Sequence, residues 1–280
     1  MRRPHDRKST YVNLWPTVTI TREQLEKYQR DGFLVLENFV DRASCDKLRA
    51  RAEDLVRDFD PRGIVSIFST REQNRSSDDY FLESGGKIRF FFEEDAFLPD
   101  GSLKQRAEYS INKIGHALHD LDPVFSEFSR TPTIQQLAAA LGIEHPLLLQ
   151  SMYIFKQPWI GGEVTCHQDS TFLYTEPHDI AGLWFALEDA NINNGCLWVI
   201  PGGHELGLKS RWVRAANGGM KFEVFDSSPW PENRLIPLEV EKGTMILLDG
   251  LLPHTSRANR SSKSRHAYTL HVISARCRYP

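Results

Sequence analysis

The first part of the chain shows helical periodicity interrupted by one short apolar segment. Thr21 and Gln24 have the spacing of a capping box, so we predict a helix over 21–31 that stops at the following glycine. Residues 33–36 are apolar and short enough to form a strand. Apolar positions then recur with a helical period over 41–59, which predicts a second helix.

The next segment is polar and irregular before periodicity returns. Residues 60–86 contain clustered serines, aspartates and glycines, which predicts a surface loop. Residues 88–92 are typical of a buried strand. The pattern over 110–121 and over 133–141 predicts two further helices.

The pattern changes after Pro146, where short apolar segments alternate with Gly, Pro and Asn turns. Short strands that follow a helical region favour a sandwich or barrel. We therefore predict a mainly β fold with supporting α-helices, in which a double-stranded β-helix (jelly-roll or cupin-like) core is braced by N-terminal helices. The predicted strands are 147–157, 163–165, 182–188, 196–200, 235–240, 244–249 and 266–273.

The organisation into domains follows from the same pattern. Residues 1–18 have no clear periodicity, and we expect them to form a loose N-terminal arm. No Pro-rich or Ser-rich linker divides the remainder, so we predict a single domain over 19–280.

Composition narrows the classes of partner. The chain has 280 residues, with 34 Lys and Arg against 37 Asp and Glu, and a net charge of −3. This balance gives no reason to expect a nucleic-acid partner, and no apolar run approaches the roughly 18 residues that span a bilayer. Residues 1–8 are charged with no apolar segment after them, so we expect a cytoplasmic protein with no membrane partner. In such a protein we expect the 4 cysteines to be free thiols. The oligomeric state stays open.

One motif in the strand-rich part carries candidate chemistry. His167 and Asp169 would point to the same side of an extended chain. His254 follows a second apolar strand and a turn. Two histidines and one carboxylate form the facial triad of non-haem Fe(II) oxygenases, whereas a structural zinc site would be closed and rich in cysteine.

A basic residue lies farther along the chain, at the start of the last predicted strand. A 2-oxo acid can chelate two open positions on iron, and its far carboxylate then needs a partner. Arg265 could form a bidentate clamp on that carboxylate, with Ser264 as an added hydroxyl donor.

These residues and the sequence around them resemble the phytanoyl-CoA dioxygenase family of Fe(II)/2-oxoglutarate oxygenases. The resemblance runs from about residue 20 to residue 273. The similar segments are 31–37 (DGFLVLE), 87–93 (KIRFFFE), 110–119 (SINKIGHALH), 150–158 (QSMYIFKQP), 172–177 (FLYTEP), 194–198 (NGCLW) and 267–271 (AYTLH).

The resemblance implies the site residues and the reaction. It implies Fe(II) and 2-oxoglutarate as cofactor and cosubstrate, O₂ as oxidant, and hydroxylation of a small-molecule substrate with release of succinate and CO₂. Lipid-derived or acyl-CoA-like compounds are among the expected substrates. The implied iron ligands are His167, Asp169 and His254, and the implied 2-oxoglutarate contacts are Lys113, Met152, Trp184, Arg265 and Ser264.

Two other classes of function remain as alternatives. The first is a jelly-roll protein that binds a metal and a small acid without redox chemistry, and the second is a cupin-type isomerase or hydrolase. Arg265 and Lys113 weigh against both, because neither class needs a dicarboxylate clamp. A second possible metal pair, His116 and His119, has helical i, i+3 spacing without a suitable carboxylate, so we predict a solvated or capping role for it.

Overall fold

The first two helices begin and end as their sequence predicts. The structure is a computed structural model, and it describes residues 20–62, 64, 66–70, 78–216 and 218–280. The predicted arm over 1–18 lies outside these residues. Thr21 and Gln24 form both hydrogen bonds of the capping box, and Gly32 ends the helix with a φ of 79°. Asp41 caps the second helix by accepting from the Ser44 amide.

The helices are concentrated in the first half of the chain. None of those in the described part is both long enough and apolar enough to cross a lipid bilayer. They are α1 (Arg22–Asp31), α2 (Arg42–Asp58), α3 (Asp79–Leu82), α4 (Leu118–Leu121), α5 (Pro123–Ser129) and α6 (Pro132–Ala140). Short 3₁₀ helices span Glu94–Ala96, Ala107–Tyr109, Asp169–Thr171, Ile192–Asn194, Gly203–Leu206 and Glu232–Arg234.

The strands form a large sheet, a small sheet and a separate hairpin. They are β1 (Phe33–Leu36), β2 (Ile88–Phe92), β3 (Ile111–His116), β4 (Pro146–Ile154), β5 (Val164–His167), β6 (Ile180–Ala186), β7 (Leu197–Val199), β8 (Ser210–Arg214), β9 (Met220–Val224), β10 (Ile236–Leu238), β11 (Met245–Asp249), β12 (His254–Ser256) and β13 (Ala267–Ser274). The large sheet has the order β1-β11-β6-β13-β4-β3-β2, the small sheet has the order β10-β7-β12-β5, and β8 pairs with β9.

The large sheet separates two hydrophobic clusters, as alternation along β6 shows. Leu183 and Phe185 pack with residues of α2, α5 and α6 on one face. Trp184 and Ala186 pack on the other face with residues of the small sheet. Because successive side chains of a strand point to opposite faces, one strand serves both clusters. The helices therefore brace the large sheet from outside, and the two sheets pack against each other.

The prediction of a helix over 110–121 is wrong. This segment forms strand β3 and then the single turn of α4. All six residues of β3 are buried, so the strand lacks the alternation of polar and apolar residues that identifies a half-buried strand. A short segment covered on both faces is hard to distinguish from a helix by periodicity alone.

The β8–β9 hairpin is not among the predicted strands. Its strands are short and carry charged residues, so their apolar pattern is weak. The turn signal was nevertheless present, because Gly218 and Gly219 both adopt positive φ values, 88° and 74°.

Candidate active site

Strand pairing brings the three predicted metal ligands together. His167 is the last residue of β5, and His254 is the first residue of β12. These strands are antiparallel neighbours in which His254 lies directly across from His167. Asp169 begins the 3₁₀ helix that follows β5. Its Oδ1 atom lies 3.7 Å from His167 Nε2 and 3.7 Å from His254 Nε2.

Backbone carbonyls fix the tautomer of both imidazoles. His167 Nδ1 lies 2.8 Å from the Thr165 carbonyl oxygen, and His254 Nδ1 lies 3.0 Å from the Leu252 carbonyl oxygen. A carbonyl can only accept, so each Nδ1 carries the proton and each Nε2 presents a lone pair to the site. Burial lowers the pKa of His254 to about 4, which keeps it in the neutral form that binds metals.

The third donor, Asp169, is an ionised carboxylate. Burial by itself would raise the pKa of Asp169, but the interaction with His271, whose Nε2 lies 3.1 Å from Oδ2, is the main opposing effect, and the pKa lies well below its ordinary value. The ligand atoms of His167, Asp169 and His254 lie within 4.8 Å of one another, and no other such group occurs among the described residues. Two neutral imidazoles and one carboxylate oxygen fit Fe(II) in a facial triad.

The triad opens into a cavity of about 1270 Å³ between the two sheets. Strand register places two of the predicted 2-oxoglutarate contacts on its wall. Met152 on β4 lies across from Thr269 on β13, and Thr269 lies across from Trp184 on β6. These side chains therefore lie side by side on the inner face of the large sheet. Lys113 and Arg265 also line the cavity.

Arg265 is a buried cation with unused hydrogen-bonding capacity. Only 2% of the residue is exposed, and its Nε donates to the Gly195 carbonyl oxygen at 3.0 Å. Its Nη1 is buried without a partner among the described residues. Burial lowers its pKa to about 10, so the guanidinium remains charged at neutral pH. A buried charged donor of this kind is typical of a site for an anionic ligand.

Lys113 provides a second buried amine. Its Nζ lies 3.4 Å from the centre of the Phe68 ring and 3.8 Å from Met152 Sδ. No carboxylate in the described part of the chain forms an ion pair with it. Burial alone lowers its pKa to about 7, so an anion in the cavity would restore its charge.

Ser264 is the one predicted contact that the structure does not bring to the cavity. Its hydroxyl donates to Glu188 Oε2 at 2.7 Å, and the residue is absent from the cavity wall. Ser256 lies on that wall instead, where its Oγ accepts from Lys156 Nζ at 2.9 Å. The sequence did contain a signal for Ser256, because it follows the ligand His254 by two residues on one strand and so shares its side.

The second histidine pair is buried, and only His119 lies in a helix. His116 ends β3, is buried, and its Nδ1 lies 2.7 Å from Ser84 Oγ. His119 lies in α4, is buried, and its Nδ1 lies 2.8 Å from Ser151 Oγ. Both are held by serine hydroxyls. The solvated alternative of the prediction is wrong, because His116 ends a buried strand and His119 is buried in the turn that follows it.

The four cysteines are free, as predicted. Cys166, next to a metal ligand, lines the cavity, and burial raises its pKa to about 12. The thiol therefore stays protonated, which agrees with its interpretation as a packed neighbour of the site.

Aromatic rings extend from the metal site toward the hairpin. The ring of Phe172 lies 6.1 Å from the ring of His167, and the ring of Trp212 lies 6.0 Å from that of Phe172. Phe81 continues the series at 6.2 Å from Trp212. We call Phe81, Phe172 and Trp212 the aromatic wall. The aromatic wall is not predicted from sequence, because Trp212 lies on the unpredicted hairpin.

Solved structures share this fold. The crystal structure of EctD from S. alaskensis with 2-oxoglutarate and 5-hydroxyectoine aligns with a TM-score of 0.65 at 18% identity, covering 96% of this chain and 82% of that one. The 2-oxoglutarate-dependent carbocyclase SnoK from nogalamycin biosynthesis aligns with a TM-score of 0.66 at 15% identity, covering 94% and 89%. These are jelly-roll oxygenases, and the predicted fold class is confirmed.

Sequence comparisons identify the family. The family model described as Phytanoyl-CoA dioxygenase (PhyH) matches residues 28–267. The chain is 48% identical over 259 residues to a phytanoyl-CoA dioxygenase of Arabidopsis thaliana, covering 92% of this chain and 90% of the relative. It is 47% identical over 260 residues to the phytanoyl-CoA dioxygenase domain-containing protein 1 of Mus musculus, covering 90% and 89%. The chain therefore belongs to the phytanoyl-CoA dioxygenase family and is an Fe(II)- and 2-oxoglutarate-dependent oxygenase.

Proposed function

We propose that this oxygenase hydroxylates a C–H bond of a small-molecule substrate, with Fe(II) bound by His167, Asp169 and His254. The observation that carries the proposal is the position of one Asp169 oxygen at 3.7 Å from the Nε2 atom of each histidine. When bound, the iron supplies the redox chemistry by which O₂ and 2-oxoglutarate convert R–H to R–OH, with succinate and CO₂ as the other products. Because a carboxylate occupies the third ligand position, hydroxylation is favoured over halogenation, which needs that position for halide.

Residues of both sheets would hold the cosubstrate. Arg265 and Lys113 supply positive charge for the far carboxylate of 2-oxoglutarate, and the Ser256 hydroxyl adds a donor. Lys156 supports this role of Ser256. Because Ser256 Oγ accepts a hydrogen bond from Lys156 Nζ, the hydroxyl proton of Ser256 is free to be donated to a carboxylate. Trp184 and Met152 cover the space beside these groups and exclude water from the charged pair.

The aromatic wall would bind the apolar part of the substrate next to His167. Two cations near the hairpin are already paired, Lys209 with Asp226 at 2.8 Å and Arg211 with Glu223 at 2.7 Å. They therefore add little net charge to the mouth of the cavity. Apolar contacts from the wall support a lipid-derived or otherwise hydrocarbon-rich substrate, with acyl-CoA-like compounds among the candidates. The proposed location is the cytoplasm.

An anaerobic titration tests the proposal. Fe(II) and then 2-oxoglutarate are added to the protein, followed by O₂ and a succinate assay without prime substrate. We expect a metal-to-ligand absorption band and slow substrate-independent succinate formation, both absent from iron-free protein. Tight metal binding with neither band nor succinate would refute the oxygenase mechanism at this site and favour the non-redox binding protein.

A further inference from the structure

The two oxygens of Asp169 have different partners. Oδ1 lies between the two imidazoles of the triad, 3.7 Å from each Nε2. Oδ2 lies 3.1 Å from Nε2 of a third histidine, His271, which is not a member of the triad. A carboxylate oxygen can only accept, so His271 Nε2 carries the proton and donates. Its Nδ1 is buried without a partner in the described part of the chain.

His271 belongs to the opposite sheet. It lies on the inner face of β13 in the large sheet and is 4% exposed, whereas Asp169 lies two residues after the end of β5 in the small sheet. Its hydrogen bond to Asp169 therefore joins the two sheets directly behind the metal site. A histidine held this way within a packed strand has little freedom to turn away.

Gly182 provides the space that this arrangement needs. It lies on β6 directly across from His271. A Cβ atom at this position would come within 3.1 Å of Asp169 Oδ2, which is closer than ordinary van der Waals contact. The large sheet therefore forms a recess for Oδ2, with a hydrogen-bond donor on β13 and an absent side chain on β6.

We infer that His271 is a positioning residue that restricts Asp169 to binding the metal through Oδ1 alone. A carboxylate can bind a metal through one oxygen or through both. Three protein donors leave three of six positions open, two for 2-oxoglutarate and one for O₂. A second bond from Asp169 would take one of these positions. Because Oδ2 is occupied by the imidazole N–H, His271 keeps all three positions available. This inference rests on the proposed iron site.

Three variants test the role of His271 without using turnover. His271→Leu removes the donor, and His271→Gln supplies an amide donor in its place. His119→Leu is the matched control, because His119 is equally buried and hydrogen-bonded but lies outside the cavity wall. Each protein is loaded anaerobically with Co(II). Calorimetry then gives the Kd for Co(II) and for 2-oxoglutarate, and the d–d absorption reports the coordination number.

We expect His271→Leu to bind 2-oxoglutarate at least about tenfold more weakly, the lower end of effects seen when an outer partner of a metal ligand is removed. The d–d spectrum before 2-oxoglutarate addition should also change. His271→Gln should recover the affinity to within about threefold, and His119→Leu should match the parent protein. A parental Kd and spectrum in His271→Leu would overturn the inference, as would equal losses in both leucine variants.

Gly182→Ala provides a second route if His271→Leu does not fold. This variant keeps His271 and displaces Asp169 Oδ2 from the side of β6, so it should also weaken 2-oxoglutarate binding. An unchanged Kd for 2-oxoglutarate would overturn the inference. Failure of the proposed function gives a different result. If Asp169→Ala binds Co(II) as tightly as the parent, the metal is not held by the triad and both proposals fall. If Asp169→Ala weakens Co(II) binding but the His271 variants behave like the parent, the iron site stands and only the inference about His271 falls.

Discussion

Replacing Arg265 by alanine should weaken 2-oxoglutarate binding much more than it weakens metal binding. The guanidinium is buried, charged and lacks a partner at Nη1, so it is available to a carboxylate. None of the three triad residues forms a hydrogen bond with Arg265. The metal site should therefore survive the substitution.

The size of the effect follows from the burial of the clamp. A hydrogen bond to a charged group contributes about 1.5–3 kcal/mol, and a carboxylate left in a buried cavity without its cation adds to that loss. Lys113 and Ser256 remain on the wall and offset part of it. We expect a loss of about 3 kcal/mol, which is a factor of about 150 in Kd. Arg265→Lys keeps the charge but not the planar fork, so its loss should be intermediate.

The assay is calorimetric titration of 2-oxoglutarate into anaerobic Co(II)-loaded protein, with thermal unfolding measured in parallel. Arg257→Ala is the matched control. The guanidinium carbon of Arg265 lies 5.3 Å from the centre of the Trp184 ring, and that of Arg257 lies 4.0 Å from the centre of the Trp198 ring. Arg257 is exposed, however, and does not line the cavity. If Arg265→Ala binds 2-oxoglutarate within about threefold of the parent while the metal is still bound, the clamp assignment is refuted.

Three further predictions follow from the same site. Asp169→Ala should abolish succinate formation and weaken Co(II) binding, and full consumption of 2-oxoglutarate by this variant would contradict the triad. Ser256→Ala should raise the Kd for 2-oxoglutarate by about tenfold through loss of a hydrogen bond to a charged group, whereas Ser264→Ala should leave that Kd unchanged. A raised Kd in Ser264→Ala and an unchanged Kd in Ser256→Ala would instead identify Ser264 as the contact. Burial lowers the pKa of Lys113 from 10.5 to about 7. Burying the charged amine therefore lowers the free energy of unfolding by its full amount below pH 7, and by progressively less as the pH rises toward 10.5. In denaturant unfolding without ligand, the parent should therefore gain stability relative to Lys113→Met between pH 7 and pH 9, and parallel pH profiles would contradict the buried amine.

The three candidate metal ligands can be predicted from sequence because their signal is local and chemically specific. His167 and Asp169 are separated by one residue, and His254 follows a recognisable strand and turn. What the sequence could not provide is the β5–β12 register, which places His254 across from His167. That pairing depends on contacts between distant segments, which periodicity within one segment does not report.

The errors have equally specific causes. The sequence predicts a helix where β3 forms, because burial on both faces removes the polar side of the strand. Ser264 directly precedes Arg265, but adjacent residues of an extended chain point to opposite sides. Ser256, in contrast, shares a side with His254. His271 gave no signal of its own, since its role depends on Asp169 of another sheet.

The placement of these groups on two sheets divides the chemistry of the site. The candidate metal ligands lie on β5 and β12 of the small sheet or just after β5. Most of the proposed cosubstrate contacts belong to the large sheet, since Lys113, Met152 and Trp184 lie on its strands and Arg265 directly precedes β13. Ser256, on β12, is the exception. Metal and cosubstrate must nevertheless meet at bonding distance, so the separation of the sheets has to be fixed at this point. The hydrogen bond from His271 to Asp169 joins them there, and Gly182 lets the carboxylate approach. A change at either residue should therefore alter 2-oxoglutarate binding without removing any group that touches it.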